Sequence, residues 1–346
     1  MRVHLSLLAC LAALAGPGQA QAACDTALAA LTGSFDGGNV PAIIAAWAAV
    51  QATPECPAAT VAGARSQTSA VIARAAQGVL ASGDVAGAEA IVLQAPGMHW
   101  AVQAVRGDIA AKRGQRDEAA KLYNAALDTL GDPGLTVQSE QLVPVAERLA
   151  KLAQENMMLA GSMQTSVARG GKATGVMGMV SRGLSIEKVA PPPADPAYVA
   201  PKEGEAGYVE PVEPAYVEPA YNVVTAAAAS VESVFLPIRF DFDSDRLDAT
   251  GLREAISLSE FLKANYVDAI TIIGHTDDVG DENYNLDLSL RRAESLAAFL
   301  VSDDVPTAIT VVGKGEFEPP VVVDAQIYSI DEFRTIARRV EVAFGY

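Results

Sequence analysis

Cysteine and histidine are both scarce in this chain, three of each in 346 residues, and basic side chains are outnumbered by acidic ones, 25 against 42. The formal net charge of −17 disfavours nucleic acid and anionic membrane surfaces, which repel an acidic chain lacking any local run of Lys and Arg. After residue 23 there is neither an uncharged apolar run of membrane-spanning length nor a series of alternating strands. No transmembrane helix and no barrel is therefore expected. The Gly-x-Ser-x-Gly elbow and the His-Glu-x-x-His helix are missing too, which removes two common hydrolytic frameworks.

Apolar residues nevertheless make up 50% of the chain, ample for real cores, and its length exceeds one typical domain. Two folded units plus connecting sequence are the expectation. Residues 1–23 have the layout of a secretory signal: Arg2 opens a short basic region, Val3 to Ala15 are mostly apolar, and Ala20-Gln21-Ala22 supplies small residues for cleavage. Leu7-Leu8-Ala9-Cys10 resembles a lipoprotein processing box only loosely and lies too early in the apolar stretch. Removal of the signal takes Cys10 and leaves Cys24 and Cys56, an even pair in a chain bound for an oxidising compartment. A structural disulfide is the plain reading, in preference to a catalytic thiol pair.

Residues 24–160 are rich in Ala and Leu at helical spacing, poor in strand formers, and broken by Gly-Asp and Gly-Asn turns, which predicts an all-α domain. From Trp100 to Pro133, Val105, Ile109 and Ala110 share one helical face and Gly114 ends that helix. Ala119, Ala120, Tyr123, Ala126, Leu127 and Leu130 then recur at three- and four-residue steps. A fainter copy, Ala75 to Ser82 and Ala86 to Leu93 around Gly83-Asp84, precedes it at a shift of about 31 residues. Across residues 70–133 these pairs resemble tetratricopeptide-type repeats, which implies either a concave surface for a protein partner or a plain helical spacer. Asn39 to Val50 predicts a further helix with Trp47 in the core.

Residues 161–230 read as connection. A Gly-, Ser- and Met-rich stretch from Gly161 to Arg182 comes first, a loop or a loosely held helical segment, and residues 190–230 follow with Pro191-Pro192-Pro193 and three Tyr-Val-x-Pro copies at Tyr198, Tyr208 and Tyr216. Proline at that density excludes continuous helix and most sheet. Extended, about 40 such residues reach on the order of 100 Å, against roughly 35 Å as a flexible coil.

From residue 231 the pattern turns mixed. Val234–Phe242, Ala269–Ile273, Ala308–Val312 and Val340–Phe344 read as strands, and Thr250–Ala264, Leu286–Val301 and Asp331–Ala337 as helices. The order implies an α+β domain, a small sheet with helices on one face. Asp277 falls in the loop after an apolar strand, and Arg292 falls near the start of the next helix. Two opposite charges so placed can clamp a zwitterion.

Phe240-Asp241-Phe242-Asp243-Ser244, Gly274-His275-Thr276-Asp277, Gly280, Tyr284-Asn285, Leu288-Ser289, Arg292-Ala293, Gly315-Glu316 and Arg338-Arg339-Val340-Glu341 stand in an order and spacing that resemble the OmpA-like C-terminal domain family. The resemblance spans residues 231–346 and implies an exported envelope protein that binds peptidoglycan noncovalently through the diaminopimelate of the stem peptide. Carried over by position, it gives Asp277 the diaminopimelate ammonium and Arg292 its carboxylate. Asp243 and Asn285 line the pocket, with Thr276 and Arg338 in the same motifs. The chain departs from the family at Ala337, where an Asn commonly stands, and Asp278, Asp281 and Glu282 make its loop unusually acidic.

Diaminopimelate carries an ammonium and a carboxylate on one tetrahedral carbon, so its site needs an acceptor and a planar donor fork a few ångströms apart. At 100° per residue, Arg291 points about 170° from the apolar face of Ala293, Leu296, Ala297 and Leu300, and Arg292 about 90° from it. Arg291 is thus expected in solvent and Arg292 leaning towards the Asp277 loop. A bland alternative is an ion pair between Asp277 and Arg292 that merely pins the loop. Asp241, Asp245 and Asp248 read as turn and capping residues.

His275 among Asp277, Asp278, Asp281 and Glu282 is a weak metal set, and Gly280 arrives too early for a calcium loop. No cofactor is implied. The expectation is a non-catalytic envelope protein whose helical domain, held to the wall, recruits a periplasmic or outer-membrane protein. The alternative is a wall-anchored enzyme or a metal-binding protein.

Overall fold

The computed structural model describes residues 17–137, 139–163, 174–178 and 233–345. Residues 1–16, Cys10 among them, and the Pro-rich stretch 190–230 with its three tyrosine motifs lie outside the described residues.

Alanine-rich sequence with few chain breakers gives seven α-helices between Pro17 and Ala160. They are α1 (Pro17–Phe35), α2 (Val40–Gln51), α3 (Ala58–Ala81), α4 (Val85–Val92), α5 (Trp100–Lys112), α6 (Arg116–Gly131) and α7 (Val143–Ala160). None of the described helices is long and apolar enough to cross a membrane. Asn39 caps α2 through Ala42 N–H at 3.3 Å, and Trp47 is buried beneath the Arg65 guanidinium. Cys24 in α1 and Cys56 just before α3 are joined by a disulfide, with their Cα atoms 5.0 Å apart.

The α3–α4 and α5–α6 turns repeat one backbone solution. Gly83 and Gly114 stand at φ 92° and 72°, left-handed values that a side chain disfavours, and each releases the chain into the next helix. In the second pair, Tyr123 packs against Gly107, where an added Cβ would lie 2.7 Å from the ring, and its hydroxyl donates to Asp108 at 2.7 Å. Burial pushes the Asp108 carboxyl above its ordinary range, so that buried hydroxyl–carboxyl bond joins the two helices in the core.

The C-terminal sheet has the strand order β1-β4-β2-β3, where β1 is Ser233–Leu236, β2 Ala269–His275, β3 Ala308–Gly315 and β4 Val340–Gly345. β2 and β3 are parallel and β4 is antiparallel to both its neighbours. A parallel pair needs a crossover, supplied by α9 (Glu282–Ser302); α8 (Ala249–Asn265) precedes β2 and α10 (Ile330–Ala337) precedes β4. Val234, Ile272 and Val342 are in register, fully buried, and share a core with Leu258, Phe261 and Leu296. Phe235 alternates to the other face, against a smaller cluster of Met158, Tyr328 and Ile336.

One expectation needs correction. The alternation over Val234–Phe242 does not make one strand: β1 stops at Leu236 because Pro237 has no N–H for the ladder, and only a single bridge, Phe240 with Leu247, follows. Beyond α7, the described residues Met163, Val176 and Met177 are fully buried in the core.

A spacer implies two units standing apart, yet the helical unit and the sheet domain share one continuous hydrophobic core. It runs from Leu127 and Leu149 to Val234 and Leu258. α7 lies along the edge strand β1, where Gln154 accepts from Phe235 N–H at 2.8 Å and so satisfies an edge donor. Glu254 of α8 accepts from Met163 N–H at 2.8 Å, and Arg116 of α6 pairs with Glu332 and sits over the Tyr328 ring.

Candidate functional site

The loop after β2 and the first turns of α9 form one wall of a cleft of about 740 Å³; the Phe240–Asp243 segment and α10 form the others. Gly274 brings the β2 end against α9, since an added Cβ there would lie 2.0 Å from the Ser289 carbonyl oxygen. The loop is then fixed from both sides. Thr276 N–H donates to Gly315 O at 2.9 Å, and the buried Asn285 amide reaches Val279 O at 3.2 Å and Glu316 Oε2 at 2.6 Å.

Asp243, Thr276, Asp277, Asn285, Arg292 and Arg338 all line this cleft. The partners of the two charges differ from expectation. Asp277 is ion-paired with Arg338, which follows α10, and not with Arg292. Arg292 donates Nε–H to the Ser244 carbonyl at 3.0 Å, lies over the Phe240 ring at 5.2 Å, and pairs with no carboxylate among the described residues. Burial lowers its pKa from the ordinary value, with the Arg338 charge adding to that effect and the nearby Tyr284 and Asp277 opposing it. The loop-pinning contact thus belongs to Arg338, leaving Arg292 with donors to spare.

Arg291 is not simply solvated either. It bridges Asp287 at 2.8 Å and Asp245 at 3.2 Å, tying α9 to the loop before α8. Asp245 is therefore an ion-pair partner, Asp241 pairs with Arg246, and Asp248 caps α8 through Gly251 N–H at 2.7 Å. Asp243 sits at φ 52°, a left-handed position that Asp tolerates better than most residues, and accepts from the Tyr284 hydroxyl at 2.5 Å.

α9 begins at Glu282, earlier than the apolar period predicts, so Tyr284 and Asn285 lie in its first turn and Arg292 mid-helix. The reason is Asp281, whose carboxylate accepts from Asn283 and Tyr284 N–H at 3.0 and 3.1 Å. An Asp followed by Glu at a helix start is a readable signal that apolar spacing alone misses. Arg334 is a cleft residue that the sequence reading passed over. It binds Asp278 at 2.7 Å and holds that carboxyl below its ordinary value, so part of the loop's acidity is neutralised in place.

His275 is buried with Nε2 3.4 Å from Glu341, and burial lowers its pKa. No cluster of three or more His, Cys, Asp or Glu suited to a metal ion is present among the described residues. Ala337 is itself buried, at the last position of α10.

Residues 239–327 match the OmpA family. The chain is 31% identical over 199 residues to the outer membrane porin F of Pseudomonas aeruginosa, covering 54% of this chain and 55% of that one. It is 36% identical over 89 residues to a peptidoglycan-associated lipoprotein of Brucella melitensis, covering 25% and 53%. The chain thus spans about half the length of these relatives. Among solved structures, the peptidoglycan-associated lipoprotein from Burkholderia pseudomallei aligns at 25% identity over 34% of this chain and 92% of that one, with a TM-score of 0.26. The family match takes in the Phe240–Asp243 segment, the loop after β2 and α9, while the cleft residues Asp331, Arg334 and Arg338 follow its last residue; this chain carries that OmpA family domain behind a helical unit.

Proposed function

We propose that this is an exported cell-envelope protein whose cleft holds peptidoglycan, through the zwitterionic end of diaminopimelate in the stem peptide. The observation that carries the reading is the Arg292 guanidinium: it is half-buried at the cleft wall, stacked on Phe240, and paired with no carboxylate among the described residues. A partly desolvated cation without an anion is unfavourable, and a ligand carboxylate would compensate it with a bidentate bond. Asp277 faces the same cleft and would take the ammonium, exchanging or sharing its contact with Arg338. Relatives that are peptidoglycan-associated lipoproteins by name support the ligand class.

On this reading the domain binds and does no chemistry, with Asp243, Asn285 and Thr276 shaping the pocket. The protein resides in the periplasm against the outer membrane and wall, and the helical unit offers its outer surface to a periplasmic or outer-membrane partner. Sedimentation with purified peptidoglycan tests the reading. Wild type should co-sediment and Asp277→Ala and Arg292→Ala should not; co-sedimentation of both variants at the wild-type level would refute it.

A further inference from the structure

The cleft does not end at its two inner arginines. Phe240, Arg292 and Arg338 also border a second cavity of about 260 Å³, closed on the far side by Met158 of α7 and flanked by Arg239 and Asp248. It lies at the junction of the helical unit with the OmpA-like domain, and Met158 is the helical unit's contribution to its lining.

Its charge runs against that of the chain. Three guanidinium groups border it against one carboxylate, Asp248, which already caps α8. Arg338 gives Nη1 to Asp277 and Nη2 to the Thr335 hydroxyl at 3.1 Å, and Arg292 gives Nε to Ser244, which still leaves N–H donors on both. Arg239 gives its guanidinium to no acceptor among the described residues, although its backbone is held by the Asp248 N–H at 3.1 Å. Its side chain rests against Gly161 at the end of α7, where an added Cβ would lie 2.6 Å from Nη2. A helix C-terminus carries partial negative charge, so the guanidinium is positioned there without spending its donors.

We propose that this junction cavity is a second anion subsite for the same ligand, in which Arg239, with the spare donors of Arg292 and Arg338, takes a further carboxylate. The inference rests on the cleft reading above. A stem peptide has the required chemistry: besides the carboxylate on the ammonium-bearing carbon, its diaminopimelyl and glutamyl residues carry others. Planar guanidinium forks suit carboxylates in particular. Because Met158 supplies a wall, the helical unit completes the ligand site as well as displaying a surface of its own.

Calorimetric titration of the full chain with two probes tests this. The first is N-acetyl-L-Ala-γ-D-Glu-meso-diaminopimelate; the second is the same peptide with every carboxylate amidated except the one on the ammonium-bearing carbon. Wild type should bind the first about tenfold more tightly, the scale of one charge-assisted contact. Arg239→Gln should abolish that preference and leave affinity for the amidated probe unchanged, while Asp277→Asn should weaken both. Equal wild-type affinity for the two probes, or equal weakening of both by Arg239→Gln, overturns the subsite while leaving the cleft reading standing. Failure of wild type to bind either probe overturns both.

Discussion

Glu155 of α7 accepts two hydrogen bonds from the segment that leads into α10, from the Tyr328 hydroxyl at 2.5 Å and from Val323 N–H at 2.6 Å. α10 carries Asp331 and Arg334 to the cleft, so one carboxylate of the helical unit anchors the base of the cleft's far wall. Burial raises the Glu155 carboxyl, and the two donors work against that shift.

Tyr328→Phe removes a donor and leaves a buried carboxylate oxygen short of a partner, at a cost of about 1–3 kcal/mol. Both tryptophans, Trp47 and Trp100, lie in the helical unit, so their fluorescence reads unfolding from that side. The shared core predicts that a substitution in the other domain still lowers the tryptophan-monitored urea midpoint. An unchanged midpoint would mean that the two units unfold independently.

Glu341 supplies a pH dependence. Burial would raise its carboxyl, but the His275 imidazole 3.4 Å away, the Ser233 hydroxyl that donates to it and the charge of Arg339 outweigh it and bring the group down to about 2. Against an unfolded value of about 4.3, the native state prefers the ionised form, so this contribution is complete above that pH and is lost as pH falls towards 2. Its size is on the order of 2–3 kcal/mol. Glu341→Gln should therefore melt well below wild type at pH 6, with the gap narrowing steadily to pH 2. A gap of constant size would remove Glu341 from the acid response.

The Cys24–Cys56 bridge should stabilise the first helices by constraining the unfolded chain, by roughly 3 kcal/mol in the chain-entropy model. Cys56 packs at the cluster that holds Trp47, so reduction, or Cys24→Ser with Cys56→Ser, should lower the tryptophan-monitored midpoint. Equal midpoints with and without reductant would contradict it.

The elements were legible where one period dominates. Ala119, Tyr123 and Leu127 mark α6, and the apolar run Ala269–Ile273 marks β2. The cleft residues were legible through motifs, but their pairing was not. Asp277 meets Arg338 because α10 packs beside the loop, a tertiary fact with no local signature. The junction cavity was invisible for the same reason: Arg239, Arg292 and Arg338 are far apart in sequence, so an acidic chain without a basic run still assembles a cationic pocket. The docking of α7 on β1 was hidden because Gln154 and Glu155 read as ordinary polar positions until the sheet edge covers them.

The central claim is that Arg292 waits for a ligand carboxylate, and the most direct measurement is the affinity of soluble wall fragments for wild type, Arg292→Ala and Arg292→Lys. Loss of a desolvated charge partner costs about 2–5 kcal/mol, so Arg292→Ala should weaken binding at least thirtyfold. Arg292→Lys, which lacks the fork, should recover only part of that loss. Wild-type affinity in Arg292→Ala, with the fold intact by circular dichroism, would contradict the account.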